Sequence, residues 1–167
     1  LAPAIEATLT TAPPDLILIT DIHGDHMDLK TLEALNTGKA TFVVPQAVAD
    51  QLPASYKSRI VVLSNGKKTE QLGIGITAIP MYNLPETEDS RHTKGRGNGY
   101  VLQFADKTVY LSGDTEDIPE MRALRNIDVA FICMNLPYTM DIDQAASAVL
   151  EFKPTMVYPY HYRGQDG

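Results

Sequence analysis

The stretch LILITDIHGDHMD, residues 16–28, decides how the rest of the chain is read. It opens with apolar and β-favouring residues, then sets Asp21, His23, Asp25 and His26 within a few positions of one another. In an extended tract, side chains two apart point the same way, so Asp21, His23 and Asp25 can converge on one side. Gly24 permits a sharp backbone turn that brings His26 beside Asp25. The expected product is two donor pairs, Asp21/His23 and Asp25/His26, suited to two adjacent metal ions. The plainer reading is a polar loop that caps the next helix.

Working outward, DLILIT (15–20) suits a strand buried on both faces. Asp28 can cap a helix whose Leu29, Leu32 and Leu35 lie three apart, with Gly38 as its stop. TFVV (41–44), RIVVL (59–63) and IGITAI (74–79) read as strands, and Pro45 opens a short helix, QAVADQL. GYVLQF (99–104) and TVYLS (108–112) form a hairpin around Ala105-Asp106-Lys107. A short helix, IPEMRAL, leads to the strand IDVAFICM. In DIDQAASAVLEF the apolar spacing is helical, with Asp141 and Gln144 placed for a capping box. TMVYPY closes the pattern just before His161. Residues 80–98 read as one long loop without periodicity, a length that marks a functional or mobile segment. Alternating strands and helices around a hairpin predict an α/β fold with a mixed sheet and helices outside. The 167 residues fit one domain, 1–167.

Composition narrows the function. A formal charge of −7 disfavours nucleic acid, which needs a basic surface. No apolar run approaches the ~20 residues that span a bilayer. Cys133 is the single cysteine, so neither a disulfide within the chain nor a cysteine-rich zinc site can form. It reads as a buried small hydrophobe. The chain starts at Leu1 without a signal-peptide pattern. A cytoplasmic location is favoured and a periplasmic one stays open.

Two further loops carry donor residues. Asp114 follows Gly113 just beyond the strand TVYLS, and His161 lies just beyond TMVYPY. Open sheets bind ligands beyond the carboxyl ends of their strands, where successive loops meet. Together with the D-x-H-x-D-H tract, these residues read as one site. In Gly95-Arg96-Gly97-Asn98-Gly99, a phosphate-cradling loop would need a following helix, and a strand follows instead. The glycines therefore read as loop flexibility with close backbone approach, and Arg96 as an anion contact.

TDIHGDH resembles the T-H-x-H-x-D-H signature of the metallo-β-lactamase fold, a superfamily of dinuclear metal hydrolases. SGDT is similar to its bridging-aspartate motif and PYH to its last-histidine motif. HTKGRGNGYVL and VYPYHY look most like the branch containing ascorbate-6-phosphate lactonase and N-acyl-phosphatidylethanolamine phospholipase D. The similarity runs along nearly the whole chain, with its motifs in family order. Two positions depart from it. Asp21 stands where the signature has its first histidine, and an oxygen donor favours Mn²⁺ or Fe²⁺ more than histidine does. The middle histidine is displaced, and the nearest candidate is His92 in the long loop. Either the loop folds back to deliver His92, or site one has only Asp21, His23 and Asp114.

The resemblance implies an αββα sandwich of two mixed sheets. The family's first strands normally precede the signature, so the chain is expected to lack them and the C-terminal end, leaving an apolar face exposed. It also implies one or two divalent ions, zinc foremost, with manganese or iron as alternatives. Asp21, His23 and His92 would hold one ion, and Asp25, His26 and His161 the other, with Asp114 shared. A water with its pKa lowered to near ~7 would attack the substrate, oriented or deprotonated by Asp25. Tyr82, Arg96, Asn135, Tyr138, Tyr162 and Arg163 are candidate substrate contacts. The expected partner is a small-molecule ester, lactone or phosphodiester, with a homo-oligomer also anticipated. A non-catalytic metal-binding protein and a nuclease of the same fold remain the other readings.

Overall fold

Two sheets pack through the apolar residues that alternate along their strands. The computed structural model describes residues 12–35 and 37–162. The first sheet is parallel, in the order β1 (Leu16–Leu18), β2 (Thr41–Val44), β3 (Ile60–Val62). The second runs β4 (Lys68–Gln71), β5 (Ile74–Met81), β6 (Gly97–Gln103), β7 (Thr108–Leu111), β8 (Val129–Cys133), β9 (Met156–Tyr160). Its first four strands are antiparallel and its last three parallel. Val43 and Leu63 meet Ile76, Ala78, Tyr100 and Leu102 between the sheets.

The outer faces are covered by helices. Helices α1 (Leu29–Ala34) and α2 (Gln46–Gln51) bury Leu32 and Val48 against Phe42 and Val44 of β2. On the far side, α3 (Pro119–Arg122) and α4 (Ile142–Phe152) bury Met121, Ala145 and Phe152 against Ala130 and Ile132 of β8. The layering is αββα, as the resemblance implied. The caps form where the sequence places them. Asp28 accepts from the Thr31 N–H at 2.7 Å, and Asp141 and Gln144 close a reciprocal capping box on α4.

Four expectations need correction. Residues of β1 are half-buried, because among the described residues β1 is the edge strand of its sheet. The strand β4, KTEQ, was invisible to hydrophobic patterning: it is a polar edge strand, joined to β5 by Leu72-Gly73, both at positive φ. The helix after Asp28 ends at Ala34, ahead of the expected stop. The long loop is shorter than read, 82–96, because Pro80 and Met81 belong to β5 and Gly97 and Asn98 to β6. A proline is tolerated there because pairing with β4 stops at Thr77. The Ala78 N–H still bonds Lys67 on that side, so Pro80, two residues on, turns its missing donor to an open edge.

On one face of β8–β9 an apolar strip is exposed. Tyr158 stacks on Phe131 at 5.4 Å, and Met156 and Tyr158 are 48% and 47% exposed. Among the described residues no helix is long and apolar enough to cross a membrane.

Candidate metal centre

The donor tract after β1 is wound rather than extended. The N–H groups of His26 and Met27 both donate to the His23 carbonyl, at 2.9 and 2.8 Å. The turn forms the two expected pairs, Asp21/His23 and Asp25/His26; what it does not form is the convergence of Asp21, His23 and Asp25 on one side that strict alternation would give. Two groups result, Asp21/His23/His92 and Asp25/His26/Asp114/His161, each with donor atoms within 4.8 Å of one another.

Each remaining donor is delivered by a local backbone feature. Gly113 has φ +64, and a Cβ there would lie 2.7 Å from the Met81 sulfur. Only glycine can make that turn, which aims the buried Asp114 back across the end of β7. His161 follows β9 with φ +53, a left-handed conformation rare outside glycine. Such strain concentrates at functional positions. His92 arrives because the loop 82–96 folds back on itself. The Asn83 N–H donates to the His92 carbonyl at 2.9 Å, and the His92 N–H donates to Asn83 Oδ1 at 2.8 Å. His92 is left 1% exposed.

Asp114 touches both groups. Its Oδ2 lies 3.2 Å from His26 Nε2 and 3.5 Å from His92 Nε2, and its Oδ1 lies 3.0 Å from His161 Nδ1. His161 Nε2 is 3.0 Å from Asp25 Oδ2. In the other group, His23 Nδ1 is 2.8 Å from Asp21 Oδ2. Four buried donor atoms lack a hydrogen-bond partner: His26 Nε2, His92 Nε2, Asp114 Oδ1 and His161 Nδ1. Buried polar atoms are ordinarily paired, so convergent orphans of this chemistry fit a cation.

Two orienting residues escaped the sequence reading. Thr20 Oγ1 sits 2.7 Å from His26 Nδ1, and Asn83 Oδ1 sits 3.1 Å from His92 Nδ1. Each engages the ring nitrogen away from the site, which leaves Nε2 free to coordinate. Asn83 is itself held, donating to Glu116 Oε1 at 3.1 Å and the Tyr138 carbonyl at 2.9 Å. Thr20 stands next to the donor tract, whereas nothing in the sequence marks Asn83. Asn83→Ala is expected to weaken metal binding ~10–100-fold, the usual cost of losing such a partner. Calorimetric titration reads this, and unchanged affinity would make Asn83 a loop residue only.

Burial pushes His92 down to about 4, against the pull of Asp114 and Asp21. Burial also lowers His23, with Asp21 opposing. For His26 burial is outweighed by the nearby Asp114 carboxylate, and its pKa rises. Burial of Asp114 is outweighed in turn by His26, His161 and His92, which hold it below the usual carboxylate range.

The candidate substrate contacts scatter. Tyr82 is a core residue whose hydroxyl donates to Glu120 Oε2 at 2.9 Å, with Lys94 4.4 Å over its ring; it does not face the donors. Arg96 is forked onto Asp21, at 3.1 and 3.0 Å, instead of reaching for a free anion. Asn135 is buried in a turn closed by Thr139. The Tyr138 ring lies 4.5 Å from the Arg91 guanidinium. Tyr162 is exposed and helps line a cavity of about 550 Å³ with Met134, Leu136, Met140 and Ile142. Arg163 lies outside the described residues.

Comparison with known proteins identifies the family. A metal-dependent hydrolase of Pyrococcus horikoshii is 32% identical over 152 residues, covering 89% of this chain and 66% of its own length. One from Thermococcus onnurineus is 32% identical over 164 residues, covering 96% and 72%. A crystal structure of a proposed metal-dependent hydrolase from Parabacteroides distasonis superposes with TM-score 0.82 at 41% identity, covering 92% of this chain and 69% of that one. The chain thus spans about two thirds of the length of the curated relatives it matches. The β-lactamase superfamily domain matches residues 1–162. With that match running from the first residue to just past His161, and with the αββα layers it requires, this chain belongs to the β-lactamase superfamily and has the metallo-β-lactamase fold.

Proposed function

We propose that the protein is a metal-dependent hydrolase of small molecules, acting on an ester, lactone or phosphodiester bond. One observation carries this reading: four buried, unpartnered donor atoms from four separate segments converge at the carboxyl ends of the strands. A divalent ion held by Asp25, His26, Asp114 and His161 would supply Lewis acidity, bringing the pKa of a bound water toward ~7 and polarising the oxygen of the scissile bond. The chain's own residues do the rest. Asp25 is the carboxylate suited to take the water's proton, because its side chain is 54% exposed while Asp114 is buried. Asp114 holds the imidazoles of His26, His92 and His161 in register. The mixed N and O donors suit zinc first, with manganese or iron as alternatives. The cavity beside Tyr162 is where an apolar limb of the substrate would rest. A homo-oligomer, covering the strip at Tyr158, remains part of the proposal.

The resemblance of HTKGRGNGYVL and VYPYHY to the lactonase and phospholipase branch supports lactones and phosphodiesters over β-lactams. The test is a panel of a bis-aryl phosphodiester, an acyl lactone, an aryl ester and a β-lactam, with zinc- and manganese-loaded protein. Turnover of one of the first three, lost on chelation and restored by metal, is the expected result. Metal-loaded protein inert to all four would favour the non-catalytic reading instead.

A further inference from the structure

The two donor groups share Asp114 but differ in what already fills them. In the Asp25/His26/Asp114/His161 group, His26 Nε2, Asp114 Oδ1 and His161 Nδ1 all lack a partner. In the Asp21/His23/His92 group only His92 Nε2 does. The difference is Arg96. Asp21 is 0% exposed, and both of its oxygens are taken. Arg96 Nε donates to Oδ1 at 3.1 Å, and one terminal nitrogen donates to Oδ2 at 3.0 Å. The same nitrogen donates to the Arg91 carbonyl at 2.6 Å and lies 3.5 Å from His23 Nε2.

This pairing is built by the backbone. The Asn98 N–H donates to the Thr20 carbonyl at 2.9 Å, stitching the start of β6 to the residue before Asp21. A Cβ on Gly97 would lie 2.8 Å from that same carbonyl, so only glycine lets the segments approach. Arg96 and Asp21 are thereby held opposite each other. A guanidinium never deprotonates in a protein, and its fork matches a carboxylate on both oxygens. A divalent ion entering this group would have to share Oδ2 with the fork and sit close to a fixed positive charge, where repulsion is strong because little water screens it.

We propose that Arg96 stands in for a metal ion at the Asp21/His23/His92 group, so that the protein binds one divalent ion tightly at the Asp25/His26/Asp114/His161 group and a second at least tenfold more weakly. The inference rests on the metal-centre reading above. It gives Arg96 a role opposite to substrate recognition: it neutralises a buried carboxylate and makes the two halves of the centre unequal.

The test is titration of chelator-stripped protein with Zn²⁺, and separately with Mn²⁺, by calorimetry, with elemental analysis after gel filtration. Wild type should take up one equivalent tightly and a second at least tenfold more weakly. Arg96→Gln removes the charge while keeping a donor for Asp21. It should tighten the second equivalent at least tenfold and leave the first unchanged. Arg96→Lys keeps the charge but loses the fork, so it should hold the second equivalent more weakly than Arg96→Gln does, between that variant and wild type. Two equivalents of equal affinity in wild type would overturn the proposal without any variant, and would leave the hydrolase reading intact. A second equivalent weakened in Arg96→Gln would also overturn it, making Arg96 a support for metal at Asp21. If wild type binds no metal at either group, both the metal-centre reading and this inference fail.

Discussion

Asp114→Ala is expected to strip the protein of bound metal and to cut hydrolysis by more than about a hundredfold, beyond the ~10–100-fold typical of losing an outer partner. Among the ion pairs of the described residues, only those of Asp114 join the two donor groups. Its Oδ2 faces His26 and His92, and its Oδ1 faces His161. Removing it leaves Asp25, whose side chain is 54% exposed, as the one carboxylate of the Asp25/His26/Asp114/His161 group, so a divalent ion there loses its buried anionic partner and its strongest attraction. The effect on metal content should exceed that of any single-histidine change. Asp114→Asn separates charge from shape, since it preserves the volume at a position 2% exposed. It should fold with wild-type secondary structure by circular dichroism and still lose metal. Full metal content and activity in Asp114→Ala would reduce the residue to a turn aspartate after Gly113 and sink the mechanism.

Combining His26→Ala with His161→Ala should abolish the tight metal equivalent and bring turnover to the background of chelated enzyme. The two rings approach edge to face, 5.5 Å apart, from segments at opposite ends of the chain. Asp25 and Asp114 alone then remain in that group. Two carboxylates without the imidazoles offer a site that suits hard, well-hydrated ions and binds zinc poorly. Elemental analysis of the purified double variant reads the outcome directly. Retention of the tight equivalent would mean that the ion sits elsewhere, and the assignment of this group would be withdrawn.

The sequence by itself determined the features that depend on neighbours a few positions apart. Asp28 and Asp141 cap helices because a cap needs only the N–H groups of the next turn. The hairpin around Ala105-Asp106-Lys107 was legible because its strands are joined by a short turn. The donor types, and their positions just past strand ends, could be read because β-strands announce themselves by composition. The pairing of Asp21 with His23 and of Asp25 with His26 was legible too, because Gly24 marks the turn between them. Tertiary structure decided how donors from distant segments join those pairs. His92 reached the centre only through its reciprocal bonds with Asn83, a closure that no local preference dictates. Arg96 met Asp21 because the Thr20–Asn98 bond and the Gly97 approach set the start of β6 against the end of the β1 segment. These pairings join segments far apart in the chain, and their partners are chosen by strand register and close packing, which a linear pattern of residue types does not contain.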